Sequence, residues 1–383
     1  MKRLICPALA ASFFFFLLSQ STHAAAFTPG DLVVVRVGDG IAALTGNATL
    51  ANLLEYTPGG SLIQTIPLPI AAVGANQPLT LSGSATSEGF LTLSANGQYL
   101  TMGGYAAVPG TLTPQTSTPS AVNRVVGRID MSGNIDTTTS LTDANSGSNM
   151  RSAVSSDGVN IWTSGNAGSG LGASAGVRYT TLGSTTSVRV DSTSSNMRVV
   201  NIFSGQLYVS SFTGTFVGVS SVGTGLPTTA SSSAITPLPG MPTTGTHSAY
   251  DFWFKDSSTL YVADDGSAAN LGGIQKWTLG GGTWTLQYTL LNNGTATTAV
   301  RGLAGTVDGS GNAVLYGTTG SSLLTVTDTG ASASLTILAT APVNTAFRGV
   351  ELLVVPEPGM AGLTLAGLLA LLAFRRIRSS RES

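Results

Sequence analysis

The chain contains very little cysteine and histidine. Cys6 is the single cysteine among 383 residues, and His247 is the single histidine after residue 26. Beyond Cys6 the chain can therefore form no internal disulfide, and zinc sites built from several Cys and His side chains are excluded. A serine-hydrolase triad would have to use His247, yet no Gly-x-Ser-x-Gly turn precedes a helical stretch. We expect His247 to be a loop residue, and we predict no catalytic residue, metal or cofactor.

Charge is also scarce, because Asp, Glu, Lys and Arg make up 9% of the residues. Six of the 17 basic residues and two of the 18 acidic residues lie before residue 27 or after residue 355. The body between those limits has 11 basic and 16 acidic residues, a net charge of −5. Nucleic acid is an unsuitable partner for such a body, since its recognition requires a basic face.

Gly, Ser, Thr and Val are abundant, and they are poor helix formers. Runs such as Leu32 to Val37 (LVVVRV) recur along the body and are typical of strands. Disorder is the other option for a chain rich in Gly, Ser and Thr, but the frequent, alternating apolar residues argue against it. The composition predicts an all-β fold.

A unit of about 50 residues is repeated through the body. The units begin at residues 88, 151, 198, 250, 301 and 348, and most contain a hairpin turn, such as Asn96-Gly97 or Asp157-Gly158. This period, with four strands per unit, predicts a six-bladed β-propeller over residues 27–355. The last unit is short, so we expect the N-terminal strands between Leu32 and Pro67 to complete it and close the ring. An open array or a two-sheet sandwich is the alternative.

Four units carry an arginine at the same point, which in a propeller is the start of the innermost strand. These residues are Arg151, Arg198, Arg301 and Arg348. With Glu88 and Asp251 they form a candidate ring at one mouth of the central channel, where arginines could bind an anionic ligand or a sugar acid. Alternatively each arginine is a latch to the neighbouring blade, which we favour because repeated positions usually serve the repeat. We expect Trp162 and Trp253 to be core residues.

The N-terminus has the pattern of a secretory signal peptide. Lys2 and Arg3 precede the apolar run Leu4 to Leu18, and small residues end at Ala26. We therefore assign residues 1–26 to a signal peptide and expect the mature chain to begin near Phe27.

The C-terminus joins three features in a fixed order. Pro356, Glu357 and Pro358 precede an apolar run over residues 359–374, and Arg375, Arg376 and Arg378 follow it. As a helix the run would rise about 24 Å, against a hydrocarbon core of about 30 Å, so it is a short membrane span. The arginines would act as a stop-transfer signal and keep the C-terminus on the cytoplasmic side. A buried C-terminal helix is the alternative.

This tail, residues 356–383, resembles the PEP-CTERM sorting signal of bacterial exported proteins. The resemblance implies that Pro356, Glu357 and Pro358 are recognised by an exosortase, a membrane processing enzyme, during export. It also implies a location in the outer envelope, at the cell surface or in the extracellular matrix, with transient or permanent anchoring in the inner membrane.

We expect a noncatalytic protein that binds exopolysaccharide or another envelope component. The alternatives are a propeller enzyme, such as a polysaccharide lyase or hydrolase, and a permanently anchored protein whose tail is never cut. Two channel-facing carboxylates at catalytic distance would favour the enzyme. A channel filled by apolar side chains would exclude binding inside it.

Overall fold

The structure, a computed structural model, describes residues 25–191, 196–230, 233–245, 247–266, 272–291 and 299–354. Within these ranges it is built from strands, and the helical segments are two 3-10 turns, Pro114–Thr116 and Gly172–Ser174. The first five strands, β1 to β5, span Leu32–Val37, Ala48–Thr49, Ala51–Tyr56, Leu62–Pro67 and Leu81–Ser82. Strands β6 to β13 span Leu91–Leu93, Tyr99–Tyr105, Arg124–Asp130, Ile135–Leu141, Met150–Ser155, Asn160–Gly165, Gly176–Thr181 and Val188–Arg189.

The remaining strands complete the body. Strands β14 to β21 span Val200–Phe203, Gln206–Thr213, Phe216–Val222, Ile235–Pro237, Ala249–Asp256, Thr259–Asp264, Gly273–Gly280 and Thr283–Leu290. Strands β22 to β26 span Gly302–Val307, Ala313–Thr318, Ser322–Thr327, Thr336–Thr340 and Ala346–Leu352.

Six four-stranded antiparallel sheets form the blades of a propeller, as the repeat predicts. Blades 1 to 5 are the consecutive quartets β6–β9, β10–β13, β14–β17, β18–β21 and β22–β25, and blade 6 has the order β26-β1-β3-β4. The all-β, six-bladed architecture is therefore confirmed. In blade 6 the C-terminal strand pairs with the N-terminal one, with Leu32 opposite Leu352 and Val34 opposite Val350. The small sheet β2–β5 lies outside the blades.

Burial decreases from the inside of a blade to its outside. Every residue of the innermost strand β10 is buried, because both of its faces pack against neighbouring blades. The outermost strand β4 instead exposes Leu62 and Ile63, which are about half exposed. The cores lie between blades, and one cluster joins blades 4 and 5 through residues such as Tyr261 and Leu303.

Near the propeller axis, one backbone carbonyl at the start of each innermost strand accepts a hydrogen bond from the preceding blade. Three of the donors are hydroxyls on second strands: Ser164 to the carbonyl of Arg198, Ser210 to that of Tyr250, and Thr318 to that of Arg348. The other three are backbone N–H groups: Phe90 to the carbonyl of Arg151 (3.4 Å), Asp251 to that of Arg301 (3.2 Å), and Gly349 to that of Gly89 (3.0 Å). We call this set of six bonds the carbonyl ring.

Residues 1–24 of the predicted signal peptide and the tail from residue 355 lie outside the described residues. This applies to Pro356, Glu357 and Pro358, to the helix expected over 359–374, and to Arg375, Arg376 and Arg378, so those predictions stay predictions. In the ranges that are described, no helix is long and apolar enough to cross a membrane.

The carbonyl ring predicts a specific cost for losing one hydroxyl. Thr318→Val keeps the size and β-branched shape of the buried Thr318 but removes the donor to the Arg348 carbonyl. We expect the free energy of unfolding, measured by urea denaturation, to fall by about 1 to 3 kcal/mol, the usual cost of a buried unpaired polar group. Thr327→Val, on the exposed end of β24, is the control and should leave stability nearly unchanged. Equal stability of both variants would contradict a structural role for the ring.

Candidate functional site

The predicted arginine ring lies at the mouth where the innermost strands begin, and three of its members are buried. The guanidinium of Arg151 donates to the carbonyl of Met197 (3.1 Å) in front of blade 3. Arg198 donates to the carbonyl of Ala249 (2.7 Å) in blade 4, and Arg348 donates to the carbonyl of Gly83 (2.8 Å). Each of these three arginines therefore contacts a neighbouring segment of the propeller, which favours the latch interpretation.

Arg301 is more exposed and pairs with a carboxylate instead. Its Nε lies 2.9 Å from Oδ2 of Asp265, just after β19 of the preceding blade. Arg198 also stacks on aromatic rings, with its guanidinium carbon 3.6 Å from the ring centroid of Tyr250 and 4.1 Å from that of Phe212. Such cation–π contacts add to the hydrogen bonds that hold the arginine in place.

The carbonyl ring shows which residues of blades 1 and 4 correspond to the arginines. The equivalent positions are Gly89 and Tyr250, one residue away from the expected Glu88 and Asp251. Glu88 accepts hydrogen bonds from the hydroxyl of Tyr105 (2.5 Å) and the N–H of Ser82 (2.9 Å). Burial raises the pKa of Glu88. Glu88 and Asp251 therefore each lie one residue from the position that the arginines occupy in their own units.

The middle of the channel is filled by two aromatic side chains from opposite blades. Phe90 of blade 1 and Tyr250 of blade 4 have ring centroids 5.6 Å apart, and both are buried. Val199 of blade 3 belongs to the same apolar cluster. A ligand cannot pass along the axis, and the arginine mouth is separated from the opposite mouth.

At that opposite mouth, where the innermost strands end, lies a cavity of about 240 Å³, which we call the pit. Its lining comes from five of the six blades. The side chains that give it chemical character are Ser94, Asn201, Phe203, Trp253, Phe254 and Glu351. Two further depressions adjoin it, and Val354, the last described residue, lines all three.

Aromatic rings form one wall of the pit. Phe203 and Phe254 stack with centroids 4.6 Å apart and planes 13° from parallel. The indole of Trp253 lies against Gly305, where an added Cβ would come within 2.5 Å of the ring. Trp162 is a core residue, as expected, but Trp253 is only partly buried and lines the pit. The expectation that Trp253 is a core residue was therefore only partly right.

Polar groups form the rest of the pit. The side-chain oxygen of Asn201 accepts the N–H of Ile202 (2.8 Å), and its NH2 group has no hydrogen-bond partner among the described residues. The carboxyl of Glu351 accepts the N–H of Leu93 (3.0 Å) and of Leu352 (3.0 Å), and so links blades 1 and 6. Removal of the carboxyl from water raises the pKa of Glu351 to about 7, although the residue as a whole is only partly buried.

A second carboxyl with a raised pKa, that of Asp251, lies deeper in the channel than the pit, at the height of the Phe90 and Tyr250 rings. It accepts the N–H groups of Phe252 (2.9 Å) and Leu303 (3.1 Å). Burial raises the pKa of Asp251 well above its usual range, and the negative charge of Glu351 adds to the effect. Asp251 does not line the pit, so among the described lining residues Glu351 is the one carboxyl that a ligand there would meet.

The other polar candidates are held by ordinary contacts. Nδ1 of His247 lies 3.2 Å from Nε2 of Gln275 and 3.9 Å from the carboxylate of Asp264. The carboxylate of Asp308 accepts the N–H groups of Ser310 and Asn312, as turn chemistry predicts. No group of three metal-ligating side chains is present in the described part of the chain.

The latch interpretation predicts that Arg198 supports stability. Arg198→Met keeps much of the apolar stem but removes the hydrogen bonds to blade 4, and we expect a loss of about 2 to 4 kcal/mol in the free energy of unfolding. Arg128→Met is the control, because Arg128 is more exposed and its pair with Asp136 (3.3 Å) should contribute about 1 kcal/mol or less. A stable Arg198→Met variant that had lost binding to an anionic glycan would favour the ligand interpretation instead.

Glu351 predicts a loss of stability with rising pH. A carboxyl with a pKa near 7 in the folded chain and about 4.5 in the unfolded chain stabilises the fold fully below pH 4.5, and this contribution is lost as the pH rises through 7. Between pH 4.5 and 8 the unfolding free energy of the wild type should therefore fall by about 3 kcal/mol relative to Glu351→Gln.

The control for this measurement is Asp308→Asn. Hydrogen bonds from the turn hold the pKa of Asp308 below 3.8, so its charge does not change between pH 4.5 and 8. The difference between Asp308→Asn and the wild type should be constant over this interval. A constant difference for Glu351→Gln as well would contradict the buried-carboxyl assignment.

No family model matches the chain, and no curated protein matches it either. Solved structures that resemble it include a candidate 6-phosphogluconolactonase from Bacteroides uniformis (11% identity, 82% of this chain and 83% of that chain, TM-score 0.42). Hydrazine synthase from Kuenenia stuttgartiensis (11% identity, 80% of this chain and 79% of that chain, TM-score 0.42) and YCF48 from Cyanidioschyzon merolae (11% identity, 82% of this chain and 98% of that chain, TM-score 0.38) are similar to about the same extent. Their names describe different roles, and at these identities and TM-scores the similarity assigns none of them to this chain.

Proposed function

We propose that this protein is an exported, noncatalytic binding protein whose propeller holds a carbohydrate of the envelope or extracellular matrix in the pit. The observation that carries the proposal is the combination of stacked aromatic rings with an unpaired amide and a carboxyl in one cavity. Sugars offer both apolar faces and hydroxyl groups, so protein sites for them combine aromatic surface with a few hydrogen-bonding groups.

The enzyme is the second candidate, and the two buried carboxyls Asp251 and Glu351 are the observation in its favour. Glycoside hydrolysis in most families requires two carboxyls that flank the scissile bond, about 5 to 10 Å apart. Asp251 is held by two backbone N–H groups beneath the pit, and Glu351 alone lines it. This arrangement supports binding better than hydrolysis.

We further propose that the tail sorts the protein. In this proposal Pro356, Glu357 and Pro358 are recognised by an exosortase, and the apolar run over 359–374 with Arg375, Arg376 and Arg378 holds the chain in the inner membrane until it is processed. The sequence pattern of the tail and the signal-peptide pattern of residues 1–26 support this route.

Two measurements on protein recovered from its native cells and their culture medium test the proposal. Mass spectrometry of both termini should give a chain that begins near Phe27 and ends near Pro356. The same protein should bind the extracellular polysaccharide of those cells in a sedimentation assay.

Variants connect that binding to the pit. Trp253→Ala should weaken binding about tenfold or more, as expected for a central aromatic contact. Phe212→Ala removes an exposed aromatic ring at the arginine mouth and should bind as the wild type does. A chain that retains Arg375 and its neighbours and is found only in membranes would overturn the sorting proposal. Release of new sugar ends during incubation would favour the enzyme.

A further inference from the structure

The shape of the pit limits which part of a glycan it can hold. Its floor is closed, because Phe90 and Tyr250 fill the channel beneath it from opposite blades. Phe252, which lines the pit, is two residues after Tyr250 on β18, so the Phe90 and Tyr250 rings lie about 7 Å further along the axis than Phe252. A polysaccharide therefore cannot thread through the propeller.

The volume of the pit restricts the ligand further. At about 240 Å³ it is smaller than most small-molecule pockets, which have volumes of about 300 to 1,000 Å³. Such a cavity suits one sugar ring better than a run of several. The adjoining depressions, of about 710 and 380 Å³, open beside Leu353 and Val354 and leave a path by which the rest of a chain can leave.

The charges around the pit select against acidic sugars. Glu351 lines it, Asp251 lies beneath it, and no Lys or Arg is among its lining residues in the described chain. A uronic acid placed there would bring its carboxylate next to the carboxyl of Glu351, with no cation among the lining residues to compensate. The NH2 group of Asn201 and the carboxyl of Glu351 instead suit the hydroxyl groups of a neutral sugar.

We infer that the pit binds the terminal residue of a neutral glycan end-on: one hexose ring enters and packs against the wall of Trp253, Phe203 and Phe254, and the chain leaves past Val354. This inference rests on the proposed function, since it names the part and the class of carbohydrate that the same site takes. An open groove would bind the interior of a chain, whereas a blind pit requires an end.

The test uses the extracellular polysaccharide of the native cells, separated by anion exchange into neutral and acidic fractions. A portion of the neutral fraction is cut by mild acid to a shorter, measured mean length. End-on binding predicts that binding per gram increases by the same factor as the number of chain ends. Monosaccharides from complete hydrolysis of the neutral fraction should compete fully, because one ring occupies the whole pit. Trp253→Ala should lose both effects, with Phe212→Ala as the folded control.

Different results overturn different claims. Binding per gram that does not change with chain length, or monosaccharides that fail to compete, would overturn end-on recognition but leave the proposed function standing. Tighter binding of the acidic fraction would overturn the neutral class. No binding of any fraction, intact or fragmented, would overturn the proposed function together with this inference.

Discussion

The propeller depends on one repeated contact, the hydrogen bond that each blade donates to a carbonyl at the start of the next innermost strand. Six sheets with apolar faces could stack in several registers, because apolar contacts have little directional preference. A hydrogen bond requires a donor within about 3 Å of a particular oxygen, so the carbonyl ring selects one register for every pair of blades. Blades 2, 3 and 5 use the hydroxyl of a Ser or Thr on the second strand, and blades 1, 4 and 6 use a backbone N–H.

This register determines the chemistry at both ends of the channel. The carbonyl ring places Arg198, Tyr250 and Arg348 at the same height along the propeller axis, so the residues that follow them are aligned as well. Along each strand, successive side chains point alternately to its two faces. Arginine side chains are thereby kept at the first mouth, where they contact neighbouring blades. The Phe90 and Tyr250 rings meet in the middle, and the next levels, with Glu351 and Trp253, form the pit. The same spacing thus separates three layers along one axis: the arginines, the Phe90 and Tyr250 rings, and the pit.

The sequence predicted the architecture because the architecture is periodic. Strand alternation and the 50-residue period identify six blades, and the strand-like run Leu32 to Val37 is strand β1. The pit could not be predicted in this way. Asn201, Trp253 and Glu351 belong to three different units, and no motif joins them; only the closed ring brings them together. Trp253 was expected in the core because its own strand sequence does not show which residue of the next blade it meets. That residue is Gly305, and both residues line the pit.

In the sorting route that we propose, the place where the chain leaves the propeller would give the pit an orientation in the cell. Val354 lies on its rim, and Gly359, where the apolar run begins, comes only five positions later in the chain. Even a fully extended chain spans no more than about 17 Å over that distance. A tethered molecule would therefore hold its cavity toward the bilayer, in a gap too narrow for a bulky polymer to approach freely. Cleavage of the tail would release the protein from the membrane and expose the cavity. One proteolytic event would then determine both where the protein is located and when it can bind its ligand.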